Sequence, residues 1–212
     1  MSGHDKDFDF EPMPGIPAKL PPGEEILWQG SPDTMALARG AFKINWILGY
    51  MLAIVVWRAG GAYADGGAGL MIATALPYLA LTAAGYGVIY ALAWAQARAA
   101  IYTITTARVI MRIGAALPVT YTIPFVRIKT ARLDQKINGT GTIAMELSEG
   151  LRLSFAVLWP HLRPWHARDT QPAFRCIPDA THVARLLADA AQAKLNEPVV
   201  TRAEPGAVMA AE

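Results

Sequence analysis

The side chains suited to soft-metal binding or nucleophilic chemistry are few: His4, His161, His166, His182 and a single cysteine, Cys176. His161 and His166 stand close together in LWPHLRPWHARDTQPAFRCIPD, where two imidazoles could ligate a metal or a chlorin. The Trp-Pro and Pro-Trp dipeptides around them favour instead a rigid loop with polar tips. No HExxH motif or nucleophile elbow accompanies these residues, so the sequence predicts no catalytic residue, no metal ligand and no bound cofactor. Cys176 lies in an apolar, strand-like segment and reads as a small core residue. Being alone, it excludes an intramolecular disulfide.

Two further groups could do recognition rather than catalysis. Arg127, Lys129, Arg132 and Lys136 follow one another along a strand and its turn. Facing anionic lipid head groups, each such charge contributes about 1 kcal/mol; a solvated sheet face accounts for the same pattern equally well. Trp159, His161, Arg163 and Trp165 crowd one loop, with Trp28 in an apolar burst far upstream. Trp and Arg dominate interface energetics, which makes these five residues the candidate partner-binding set. The alternative is that the tryptophans pack over the end of a barrel.

These groups must be positioned by a chain that is 53% hydrophobic and 17% charged, with the charge deficit in its first half. A net charge of +2 gives no electrostatic reason to expect nucleic acid as a partner. Leu70–Ala97 contains no charged residue and exceeds the roughly 20 residues a helix needs to cross a bilayer core. Pro77 would kink such a helix, which neighbouring helices can absorb in a membrane. Ala80, Ala84, Gly87, Ala91 and Ala95 recur at spacings of three and four, a smooth flank on which another helix could pack. A second apolar run, Ile44–Trp57, can continue past a snorkelling Arg58 toward Ala64. With the Gly-rich YADGGAGL between them, the two predict a transmembrane helical hairpin. Arg39, Lys43 and Arg98 outside the hairpin put both termini in the cytoplasm by the positive-inside rule.

From Ile101 onward the period becomes alternating. ARVIMRIG, TIAMELS and LRLSFAV each place apolar side chains on every second residue, with turns expected at Asn138–Gly139 and Glu149–Gly150. A third membrane span over residues 99–126 would place Arg108 and Arg112 in lipid at about 2.5 to 3.5 kcal/mol each, so strands are the better reading. Asp179 is a candidate N-cap for a last helix whose stripe is Val183, Leu186, Leu187, Ala190, Ala191 and Leu195.

The fold expected is thus a membrane α-helical hairpin followed by a small antiparallel β-barrel or sandwich with a C-terminal helix, pleckstrin-homology-like. Its divisions are an acidic, Pro-rich flexible arm at 1–22 and an amphipathic segment at 23–43, whose apolar burst over Gly23–Asp33 could be an edge strand or lie at the interface. The hairpin follows at 44–97, then the cytoplasmic domain at 99–197 and a disordered tail at 198–212. The acidic N-terminus lacks the features of a secretory signal.

LPPGEEILWQGSP at Leu20–Pro32, YTITTARVIMRIGAALPVTYTIPF at Tyr102–Phe125, GTG at Gly139–Gly141 and LWPHLRPW at Leu158–Trp165 together carry a resemblance over residues 14–197. The chain resembles the PuhB family of photosynthetic-complex assembly proteins of purple bacteria, membrane proteins with a pleckstrin-homology-like domain after transmembrane helices. That resemblance implies a non-enzymatic factor in the inner, intracytoplasmic membrane. Its partners would be reaction-centre and light-harvesting membrane subunits together with membrane lipids, and homo-oligomerisation stays open. A membrane-anchored lipid-sensing or scaffold protein unrelated to photosynthesis is the alternative.

Overall fold

The computed structural model describes residues 14–16, 18–136, 139–148, 153–166 and 169–197. The expected arm falls largely, and the expected tail entirely, outside them. The domain is a pleckstrin-homology-like β-sandwich of two antiparallel sheets with a C-terminal helix. One sheet runs β1 (Ile26–Gly30), β2 (Ile101–Thr105), β3 (Arg108–Ile113) and β4 (Val119–Pro124) in that order. The other holds β5 (Ile128–Gln135), β6 (Thr140–Leu147) and β7 (Ala173–Pro178). The upstream burst thus resolves as the edge strand β1, paired with β2 across the 70 residues between Gly30 and Ile101.

Alternation fills the space between the sheets. Val109, Met111 and Ile113 of β3 and Ile143, Met145 and Leu147 of β6 share one buried cluster with Tyr102, Phe174 and Ile177. The rings of Tyr102 and Phe174 stack at 4.6 Å. Each fully buried side chain of this size contributes about 1.5 to 3 kcal/mol. Helix α4 (Ala180–Leu195) closes the core with Val183, Leu187 and Ala190, whereas Leu195 in the last turn stays exposed. Asp179 stands at the cap position but makes no side-chain capping bond. Its backbone is left-handed (φ 48), not the extended conformation from which a carboxylate reaches the first-turn amides.

The strand expected over Leu151–Val157 does not form where the chain is described: Phe155–Leu158 is a short helical turn, α3. Residues 149–152, with the expected Glu149–Gly150 turn, lie outside the described residues. The reason is topological. β6 is the centre of its sheet, with β5 on one side and β7 on the other, so no edge is left for a hairpin partner. At the other expected turn the Gly139 amide donates to Lys136 O at 3.1 Å, and Gly139 adopts φ 79, a conformation glycine accepts freely; Asn138 lies outside the described residues.

Between β1 and β2 lie a short helix α1 (Thr34–Gly40) and the long apolar helix α2 (Ile44–Ala99). Asp33 caps α1, accepting from the Ala36 amide at 2.7 Å. Gly66 and Gly67 leave helical geometry inside α2 (φ −152 and 73), dividing it into arms at 44–65 and 68–99. The arms lie side by side. Ile44 clusters with Ala93, Arg58 sits 6.0 Å from the Tyr78 ring, and a Cβ built on Gly85 would lie 3.5 Å from Met51 Sδ. The inner seam of the second arm is therefore Tyr78, Thr82, Gly85, Ile89 and Ala93, a period of three to four. Ala97 packs against Leu37 and Val55 is buried, but most of the remaining apolar surface is bare. Trp46 is 80% and Trp57 76% exposed, and only 6% of the most apolar window is buried.

Candidate functional site

The loop between α3 and β7 divides its residues between the core and the surface. His161 is completely buried. Its Nδ1 lies 2.6 Å from the Tyr102 hydroxyl, which also accepts from the Arg175 amide at 3.4 Å. Backbone bonds from His161 N to Leu158 O (2.6 Å) and from Ala173 N to His161 O (3.0 Å) tie the loop to both neighbours. Burial first, and the Arg175 charge second, push the imidazole down to about 3, so it is neutral in the fold. Burial likewise raises the Tyr102 hydroxyl. His161 is thus a structural centre and offers no surface to a partner. His166 is held separately, its Nδ1 lying 2.9 Å from Pro164 O.

The other residues of the expected partner set have different surroundings. Trp28 is half-buried and tilts against Phe174 at 5.9 Å, so it serves the sheet edge. Trp159 is partly exposed and meets Phe42 edge-on at 5.0 Å, joining the loop to the start of the apolar arm. Arg163 donates to Gln171 Oε1 at 3.1 Å, and Trp165 stands 97% exposed. Of the three tryptophans, Trp28 packs on the core, Trp159 bridges to Phe42 and Trp165 projects into solvent.

Arg163 and Trp165 line a cavity of about 610 Å³ between the outer face of the second sheet, this loop and the junction of α1 with α2. Four more cations share it with a single carboxylate: Lys43, Arg132, Lys136 and Arg175 against Asp134. Local structure builds it. In β7 the register shifts so that Gly141 faces Ile177 while Ile143 faces Phe174, a bulge that places Arg175 and Cys176 together opposite one stretch of β6. Phe174 and Ile177 keep the core, Cys176 packs with Leu37 and Ala97, and Arg175 points to the cavity. At the end of α1, a Cβ on Gly40 would come within 3.0 Å of Lys136 Nζ and 3.6 Å of Arg175 Nη2. Glycine there lets the two cations approach the helix end.

Arg175 is the residue sequence reasoning missed. It is only 7% exposed, its Nη1 donates to Pro160 O at 3.2 Å, and its buried Nε has no partner among the described residues. The signal was present: a lone arginine within AFRCIP, otherwise free of charge. A second missed pair is Glu24 with Arg108. Arg108 Nε donates to Glu24 Oε1 at 2.8 Å, its Nη2 to Oε2, and Thr105 Oγ1 adds a third bond at 2.6 Å. Burial alone would raise the Glu24 carboxyl, but these bonds and the Arg108 charge outweigh it and hold it below its usual range.

The basic run is split by the fold. Arg127 closes a 3-10 turn, Lys129 and Arg132 lie on the exposed strand β5, and all three are solvent-facing, Arg132 within 3.9 Å of Glu146. Of the small-residue stripe, Ala80, Ala84, Gly87 and Ala91 are all exposed and lie off the seam between the arms.

The bacterial PH domain family matches residues 42–191. A Rhodobacter capsulatus protein described as an uncharacterized 23.7 kDa protein in the puhA 5' region is 58% identical over 215 residues, covering 99% of both chains. Among solved structures, a DUF1696-family protein with a pleckstrin-homology domain from Shewanella loihica PV-4 is 11% identical, covering 43% of this chain and 71% of that one, with a TM-score of 0.29. The chain belongs to the bacterial PH domain family.

Proposed function

We propose that this protein is a non-enzymatic assembly factor for the photosynthetic reaction centre and its light-harvesting complex, anchored in the inner membrane by two transmembrane helices with both termini cytoplasmic. The observation that carries the membrane reading is the bare apolar surface of the two arms. A helix serving a soluble core would be mostly covered, whereas here the largest aromatic side chains stand in the open. The assembly reading is supported by the sequence resemblance and by the relative whose name sets its gene by puhA, a genomic setting that suits a photosynthetic role.

Assembly calls for transient contacts, and two surfaces are available for them. Ala80, Ala84, Gly87 and Ala91 form a smooth stripe left free by the intramolecular seam, against which a client helix can approach closely. Trp159, Arg163 and Trp165 flank the point where the chain enters the first arm, at the level of a client's cytoplasmic ends.

A mild-detergent pull-down of the tagged chain from photosynthetically growing cells tests this, read by mass spectrometry and pigment absorbance. Reaction-centre or antenna polypeptides in the eluate are expected, and deletion of the gene should lower mature complex while leaving pigment synthesis intact. Unchanged complex levels in the deletion strain would sink the proposal.

A further inference from the structure

We infer that the cationic cavity between β5, β7 and the α1–α2 junction binds the phosphate of an anionic phospholipid head group. Five cations, Lys43, Arg132, Lys136, Arg163 and Arg175, line a space of about 610 Å³ with one carboxylate, Asp134, and Arg132 also lies within 3.9 Å of Glu146 outside it. The central cation is the independent observation. Arg175 is more than nine-tenths buried, and its Nε is unpartnered among the described residues. A buried guanidinium donor without an acceptor is costly, and the planar fork of arginine matches the oxygens of a phosphate. Bound phosphate supplies the missing acceptor and offsets the mutual repulsion of cations that the fold holds together.

The position of the cavity selects a lipid over a soluble anion. Lys43 immediately precedes Ile44, the first residue of the apolar arm, so the cavity opens where the chain would leave a bilayer. Trp165, almost fully exposed on the rim, is the residue type enriched at that level. This inference rests on the membrane reading above and is independent of the assembly role. Arg127 and Lys129 are not among the residues that line the cavity.

The test titrates the delipidated full chain in detergent with short-chain phosphatidylglycerol, phosphatidylcholine of equal chain length, or inorganic phosphate, counting bound molecules by native mass spectrometry. One phosphatidylglycerol per chain is expected, preferred over phosphatidylcholine. The K136Q/R163Q double variant should weaken it about 30-fold, as the loss of two cations beside a phosphate dictates. R127Q/K129Q should stay within about twofold, because these charges lie outside the cavity. R175Q removes the buried donor and is read only after its thermal unfolding shows a folded chain; the rim variant decides the matter if it does not fold. Equal affinity in K136Q/R163Q and wild type overturns the proposal. Inorganic phosphate binding as tightly as phosphatidylglycerol overturns the lipid source, and so does equal binding of phosphatidylcholine. Loss of lipid binding with normal complex assembly in cells would leave the assembly role standing, so the two readings fail separately.

Discussion

The sandwich and the two-armed helix are both rich in large apolar side chains, yet they treat them in opposite ways. In the sandwich Tyr102, Phe174 and Ile143 are sealed between the sheets. Along the arms Trp46, Tyr50, Val56 and Trp57 face outward, while the inner seam includes small residues such as Thr82, Gly85 and Ala93. The sandwich is stabilised by its own contents. The arms bury little within the chain, so their apolar surface is satisfied by whatever surrounds them. Truncation should therefore be felt strongly in one region and weakly in the other. Phe174→Ala, which removes a ring stacked on Tyr102, is expected to cost about 3 to 5 kcal/mol. Leu76→Ala on the bare face should stay within about 0.5 kcal/mol. Thermal unfolding of the full chain in mild detergent measures both, and equal losses would erase the contrast.

The next largest effect separates the regions by pH. His161 is held neutral, with its ring pushed to about 3, while an unfolded imidazole titrates near 6.5. Between those values the unfolded chain binds more protons, so stability falls as pH falls. The loss between pH 7 and pH 5 should be about 2 kcal/mol, all of it in the sandwich. His161→Gln should flatten that slope, at the cost of a lower plateau at neutral pH. An unchanged slope would mean that the imidazole is not the group responsible.

A smaller, more acidic step belongs to Glu24, which fastens the segment before β1 to β3. Its carboxyl is held below the usual range, so its stabilisation is present above the unfolded value and is lost as pH falls through the folded one. Glu24→Gln should cost about 1 to 2 kcal/mol at neutral pH through its bidentate bonds to Arg108 and remove the acid step below about pH 4. Chemical denaturation at pH 7 and pH 3.5 distinguishes this from the histidine.

How much of this was written in the sequence depends on the range of the interaction. Alternation in β3 and β6 and the apolar arms are local patterns, and both were legible. Leu151–Val157 showed the same alternation and failed, because what decides a strand is a free edge, and β7 had taken it. The fates of His161 and Trp165 were hidden for a similar reason. Residues four apart in one loop divide between complete burial and full exposure according to contacts with Tyr102 and Arg175, which are distant in the chain. The cavity was the least legible feature, since its cations come from the α1–α2 junction, β5 and its turn, the loop and β7. Only the hairpin-like approach of the strands brings them together.

The last prediction turns on the two faces of the second arm. A Cβ on Gly87 would meet nothing within 4 Å, whereas one on Gly85 would already touch Met51. Gly87→Leu should therefore leave stability within about 0.5 kcal/mol, while Gly85→Leu must push the arms apart, an overpacking cost of about 1 to 3 kcal/mol. If the outer stripe receives a client helix, the order reverses in a pull-down: a leucine at Gly87 or Ala84 fills the close approach that small residues permit, and co-eluting reaction-centre or antenna polypeptides should drop several-fold. A folded Gly87→Leu chain that still captures its client in full would move the contact to the Trp159–Trp165 loop, where Trp165→Ala should then abolish it. A variant that is silent in stability and costly in capture would show that the exposed stripe acts only when a second helix is present.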